Sequence, residues 1–331
     1  MKIKKIEDLL VLGDNKRFSA MGSIAAKLLA NKMNPNILRT NATLRKDEWK
    51  HFDETVVDVA RQRMVGVQDL VSRGLSYNLT NGLGQMVLEY EQVSDALEAQ
   101  MDMTGEARGR NDRVEYTLGY LPLPITHADF DINVRALTAS RNLGQSLDTV
   151  QAAVAARKVS EKTETILFQG ASTYTYGGGT IYGYCDFPSR NTGSLTANWD
   201  ESGADPVADV IAMKQKSIDD KHYGPWMLYI PTNYEGVLDE DFKANSDITI
   251  RERIKKIGNI ADVKVADYLT ADNVVLVELR PETARIVIGM QPTNVEWQTE
   301  GGMIFHFKVM AIMVPQLRAD DNGNCGIVHF T

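Results

Sequence analysis

The residues that could support chemistry in this 331-residue chain are five histidines, two cysteines and a few short motifs. His51, His127, His222, His306 and His329 fall singly, with no HxxxH or HExxH spacing that would put two imidazoles on one helix face for a metal. Cys185 and Cys325 are far apart and lie near glycines, which gives neither a disulfide framework nor a zinc ribbon, so both are expected to be free thiols. Gly177-Gly178-Gly179 lacks the Lys-Ser/Thr of a phosphate loop and reads as a flexible turn. Asp320, Asn322 and Asn324 alternate like a calcium loop, but Cys325 stands where that loop needs glycine, and a turn is expected. Asn41 and Asn78 open glycosylation sequons that, without a signal peptide, are chance matches. No catalytic, cofactor-binding or metal residues are expected; the missing motifs lower the expectation of an enzyme without excluding one.

The elements that would position any site are those of a globular chain, 43% hydrophobic and 24% charged, long enough for two cores. No run reaches the roughly 18 apolar residues of a spanning helix, and Met1 to Leu10 carries charges where a secretory signal needs an apolar centre, so a soluble intracellular product is expected. Charge is uneven. Residues 1 to 50 hold eleven basic and five acidic side chains, leaving 25 basic and 39 acidic beyond them: a basic arm ahead of an acidic body. Such an arm either reaches an acidic surface or a polyanion such as DNA, or is a solvated extension. The net charge of −8 argues against a dedicated nucleic-acid reader.

Along the chain, Thr43 caps an amphipathic helix with Trp49, Phe52, Val56 and Val59 on one face, running to about Arg63. Met86 to Val93 and Val114 to Tyr120 read as the arms of a long hairpin with a polar tip. An isolated two-stranded ribbon is marginal in water, so it should lie on a partner surface. Its first arm carries Glu89, Glu91, Asp95 and Glu98, and its tip Arg108, Arg110 and Arg113; the tip of one copy could sit on the acidic arm of another. Residues 126–142 read as a short helix or turn. A long helix follows over 146–168, with Leu147, Val150 and Val154 inside, Glu161, Lys162 and Glu164 outside, and Gly170 as its stop. Residues 171–199 read as loops with a short ribbon. An α/β unit comes next, with Asp205-Pro206 opening a helix marked by Val207, Ile211, Lys214 and Ile218. Trp226 to Ile230 is a buried strand, Thr232/Glu235 and Thr249/Glu252 are capping boxes, and strands near 262–266, 273–279 and 284–290 complete the unit. A β-rich section, Val295 to Val314, returns the chain to the first domain.

This order of parts resembles the tailed-phage major capsid protein of the Hong Kong 97-type fold, which encapsulin shells share. The resemblance rests on the capped helix with Trp49, Val93-Ser94-Asp95-Ala96 leading to Met103-Thr104-Gly105, and Leu121-Pro122-Leu123-Pro124 followed by Asp129 and Ile132. It also rests on the alanine-rich helix closing at Ile166-Leu167-Phe168-Gln169-Gly170, and on Gly224-Pro225-Trp226 through Pro231, Tyr234 and Leu238. It implies an α+β fold divided into an N-terminal arm (1–42), a helical segment (43–83), an E-loop hairpin (84–124), a peripheral domain (125–200 and 291–331) with spine helix 146–168, and an axial domain (201–290). The implied function is a shell-forming structural protein of a tailed bacteriophage, self-assembling into an icosahedral head around double-stranded DNA; the alternative is an encapsulin shell enclosing a cargo enzyme. Implied partners are other copies in hexamers and pentamers, with scaffold, portal and decoration proteins, DNA in weak contact and no membrane. The implied location is the virion, assembled in host cytoplasm. Some members of the family crosslink through an E-loop lysine; residues 84–124 contain none, so noncovalent contacts are expected, as is an uncleaved N-terminus.

Overall fold

The computed structural model of the chain describes residues 64–93, 103, 116–142, 150–242, 247–320 and 322–331. The expected helix at Thr43–Arg63 and the hairpin tip lie outside these. The described elements begin with α1 (Val65–Ser72), β1 (Ser76–Asn78), and the pair β2 (Val87–Val93) and β3 (Tyr116–Pro122). Next come β4 (Thr126–Asn133), α2 (Val134–Asn142), α3 (Val150–Gln169), β5 (Ala171–Tyr176), β6 (Gly179–Ile181) and β7 (Asn191–Gly193). The remainder is α4 (Pro206–Asp219), β8 (Trp226–Ile230), α5 (Glu235–Leu238), α6 (Ile250–Lys255), β9 (Ile260–Val265), β10 (Val274–Glu278), β11 (Ala284–Thr299), β12 (Ile304–Leu317) and β13 (Ile327–Phe330). Two compact units divide the chain, the smaller containing, among described residues, 131–142 and 297–306. Within it, the Val134 N–H donates to the Met303 carbonyl at 3.0 Å and Trp297 stacks on His306 at 5.4 Å.

The larger unit is organised by a five-stranded sheet in the order β7-β13-β10-β8-β9. β8, β10 and β13 are buried at every position, because both faces of the sheet are covered, and this is why their sequences run apolar without alternation. One face packs Trp226, Leu228, Ile230, Leu276 and Phe330 against Val207, Val210 and Met213 of α4 and Ile254 of α6. Toward the other, Phe168 at the end of α3 meets Tyr229 edge to face at 5.1 Å, and Tyr184 stacks on Tyr229 at 6.1 Å. Asp205 caps α4 by accepting from the Ala208 N–H at 3.0 Å, with Pro206 at the first helical position, and Thr249 caps α6 through the Glu252 N–H at 3.3 Å.

Several expectations are corrected. Residues 126–133 form strand β4, in which Thr126, Ala128, Phe130 and Ile132 alternate with exposed neighbours; the sheet order β1-β11-β12-β4 places it beside β12, and Phe130 stacks on Phe307 at 5.0 Å. The strand starting at Ala284 belongs to this second sheet, and the five-stranded sheet is completed instead by β13 and β7. The inner face of α4 is Val207, Val210, Met213 and Ser217, while Ile211 is 48% exposed. Thr232 is not a cap: Pro231 precedes a 3-10 turn and no side chain caps it. In α3, Val154 is exposed and Glu164 is buried; Gly170, with φ +74°, ends the helix as expected.

Candidate assembly interface

The ribbon of β2 and β3 is built by antiparallel pairing that sets Glu89 opposite Tyr120 and Glu91 opposite Leu118. Directly paired residues share a face, so these four side chains form one side of the ribbon, and all four are exposed. The opposite side carries Leu88, Tyr90 and Leu121, which pack with Ile166, Ile181, Val287, Ile312 and Val314. The partner surface expected for the ribbon is therefore, over its described length, the chain's own larger unit. Close approach to β6 enforces this: a Cβ on Gly179 would lie 2.2 Å from the Tyr120 carbonyl oxygen. The second ribbon, β5 with β6, turns at Gly177 and Gly178, whose φ values of +61° and +81° explain the glycine run as a turn. It presents Tyr174 and Tyr176, both about half exposed, and the Tyr176 hydroxyl lies 3.1 Å from the Met86 sulfur. A cleft of about 290 Å³ between the ribbons is lined by Tyr90, Tyr120, Tyr182, Phe187, Pro315 and Asp320.

Of the residues singled out from sequence, Glu89 and Glu91 lie together on the exposed ribbon face, whereas Asp95, Glu98, Arg108, Arg110 and Arg113 lie outside the described residues. His51 lies outside the described residues, and the four described histidines are dispersed, each with partners of its own. His127 contacts Asp129 at 3.0 Å and His306 contacts Thr299 at 2.7 Å. His329 lies between Arg190 at 3.2 Å and Asn273 at 2.7 Å, and burial, with Arg190 beside it, lowers its pKa to about 4, so it is neutral at ordinary pH. His222 pairs with the buried Glu278, which also accepts from Gly224 N–H and Thr283 Oγ1, both at 2.9 Å. Burial raises the Glu278 pKa, but these donors outweigh it and hold the carboxyl below the usual range. Cys185 and Cys325 are free, and burial pushes both thiols up to about 12, which leaves them inert at neutral pH. Both carboxylate oxygens of Asp320 are taken by Asn324, at 2.7 and 2.6 Å, which makes the calcium-like spacing a turn. Among the described residues no group of three or more potential ligands could hold a metal, and no helix is long and apolar enough to cross a membrane.

The carboxylate missed from sequence is Glu164, 2% exposed on the inner side of α3. It accepts from the Gly66 N–H at 2.5 Å and the Val67 N–H at 3.3 Å, in the first turn of α1. Its helical period was a usable signal, since position 164 follows Ser160 by four and precedes Leu167 by three, both buried. Glutamate's usual preference for solvent concealed it.

A model of a family of unknown function, DUF6260, matches residues 39–330. The chain belongs to this family. Proteins of known structure share the architecture: a virus-like particle from Pyrococcus furiosus is similar over 86% of this chain and 99% of its own, with TM-score 0.63 and 15% identity. The capsid of Myoviridae phage XM1 matches over 78% of this chain and 90% of its own, with TM-score 0.60 and 9% identity. In sequence, the type 1 encapsulin shell protein EncA of Myxococcus xanthus (strain DK1622) is 23% identical over 250 residues, 75% of this chain and 81% of EncA. The fold is the α+β Hong Kong 97-type capsid fold, as the resemblance in sequence implied.

Proposed function

We propose that this chain is a shell-forming major capsid protein of a tailed bacteriophage, assembling with copies of itself into an icosahedral head around double-stranded DNA. The observation that carries this is the match of a shell-building fold over 86% of this chain and 99% of the virus-like particle subunit. In this reading residues 84–124 are the E-loop, 125–200 and 291–331 the peripheral domain on the spine helix α3, and 201–290 the axial domain. The exposed ribbon face with Glu89 and Glu91 offers acidic groups to a neighbouring copy, and Arg108, Arg110 and Arg113 supply the complementary charge. With no lysine in 84–124, contacts are noncovalent. The basic N-terminal region faces packaged DNA; scaffold, portal and decoration proteins are further partners, the location is the virion, and the role is structural, not enzymatic. Closed, symmetric assembly from one repeated patch suits a chain that offers ribbons and sheet edges.

The similarity to EncA favours a second reading, a nanocompartment shell around a cargo protein. Negative-stain electron microscopy of the purified protein tests both. Shells, sheets or capsomer rings are expected; DNA inside supports the virion and a protein cargo the compartment. A monomer that stays monomeric with candidate scaffold overturns shell formation. Reversing the charge of Arg108, Arg110 and Arg113 together is expected to lower particle yield while leaving the subunit's melting temperature unchanged; unaltered yield removes the tip from the interface.

A further inference from the structure

Within the larger unit, α1 reaches α3 at an unusually close seam. A Cβ on Gly66 would stand 2.8 Å from Leu167 Cδ2 and 3.0 Å from the Phe168 ring, so only glycine lets the helices approach this far. Into this seam α3 sends Glu164, whose two oxygens take the N–H groups of Gly66 and Val67. Those amides belong to the first turn of α1, which has no side-chain N-cap of its own, so Glu164 does the work of a cap from another helix.

Among the described residues, the surroundings do not supply the charge balance a buried carboxylate needs. From α1 itself comes Asp69, 5% exposed, and Asp267 acts on Glu164 from just beyond β9. Among the described residues the one cation at the cluster, Lys264 of β9, is paired with Asp69, whose other oxygen accepts from the Tyr229 hydroxyl of β8 at 3.1 Å. Tyr184, from the loop after β6, is fully buried, and its hydroxyl has no hydrogen-bond partner among the described residues. Among the described residues, an ionised Glu164 therefore adds a buried negative charge that feels the buried Asp69 and the exposed Asp267, with the two amides and the helix dipole in its favour.

We propose that the α1–α3 seam is a protonation-controlled joint, in which neutral Glu164 holds α1 docked against α3 and ionised Glu164 loosens it. This goes beyond the shell reading and does not depend on it, because every group belongs to one unit of one chain. Burial, reinforced by Asp69 and Asp267 and opposed by the Gly66 and Val67 amides, raises the Glu164 pKa from 4.5 to about 7. A carboxyl whose pKa is raised in the docked state binds its proton more tightly there than when opened to water. Docking is thus fully favoured below about pH 4.5, weakens as pH rises toward 7, and stays weakened above. Opening of one short helix is a local event, separate from global unfolding.

Hydrogen exchange of the full chain, followed by mass spectrometry from pH 5.5 to 8.5 and corrected for intrinsic exchange, reads this directly. Peptides covering 64–75 are expected to lose about tenfold or more of their protection across that range, while peptides of α4 change little. Glu164→Gln, a permanent neutral form, should flatten the response, and Asp69→Asn, by removing a neighbouring acid, should move it to lower pH. Protection of 64–75 that is independent of pH in the unaltered protein overturns the proposal, as does an unchanged slope in Glu164→Gln. Should that variant fail to fold, an unmoved or upward midpoint in Asp69→Asn overturns it.

Discussion

Glu164 and Glu278 are the same side chain in nearly the same degree of burial, 2% and 1% exposed, each accepting from the main chain, yet their acidities move in opposite directions. Glu164 is raised to about 7, and Glu278 is lowered. The hydrogen bonds separate them in part, since Glu278 has the side-chain partners His222 and Thr283 beside its backbone donor, whereas Glu164 has two backbone amides. The charged neighbours separate them further: the Arg280 side chain lies 3.5 Å from Glu278, whereas Glu164 has Asp69 and Asp267. Glu278 is held charged by His222, Thr283 and the Gly224 amide, whereas Glu164 has acids near it, which makes one a static pin and the other a titrating joint.

Removing the pin should give the largest effect. Glu278→Ala leaves Gly224 N–H, Thr283 and His222 without their acceptor, and a loss on the order of 3 kcal/mol is expected in denaturant unfolding. A loss below about 1 kcal/mol would show that water replaces the carboxylate. The acid limb sharpens the contrast. Because the Glu278 pKa is lowered, its contribution is present above about pH 4.5 and lost as pH falls below it, the opposite sign from Glu164; Glu278→Gln should be less acid-sensitive than the unaltered protein in thermal melts.

At the seam, Gly66→Ala must displace the buried Phe168 ring or Leu167, and despite alanine's better helix propensity it is expected to cost about 1–3 kcal/mol. A stabilised variant would mean that the seam gives way freely. The smallest change in stability, within about 0.5 kcal/mol, is expected for Glu89→Lys with Glu91→Lys on the exposed ribbon face. Particle yield should nevertheless fall; if yield and stability are both unmoved, that face takes no part in assembly.

Much of this was legible in the sequence, and the exceptions share a cause. Strand Trp226–Ile230, the Asp205-Pro206 helix start, the Gly170 stop and the ribbon strands follow from local rules: apolar runs, caps and turn residues act over a few positions. The alternation of β4 was equally local, and its four half-buried positions could have been read as a strand. The inner face of α4 could not be placed to better than one position, because Ile211 is as apolar as Val210 and only the sheet beneath decides which of them is covered. Which strands complete the five-stranded sheet was likewise beyond local reading, since β13 pairs with β10 across some fifty intervening residues.

By itself the sequence determined most element types, β4 being the exception, together with the missing catalytic and metal motifs and a resemblance that the fold bears out. Only the tertiary structure decided that the ribbon rests on its own unit, that Glu164 is turned inward, and that Lys264 is committed to Asp69. The reason is physical: helix and strand formation depend on neighbours along the chain, whereas the charge state of a buried carboxylate depends on groups brought to it from about a hundred residues away.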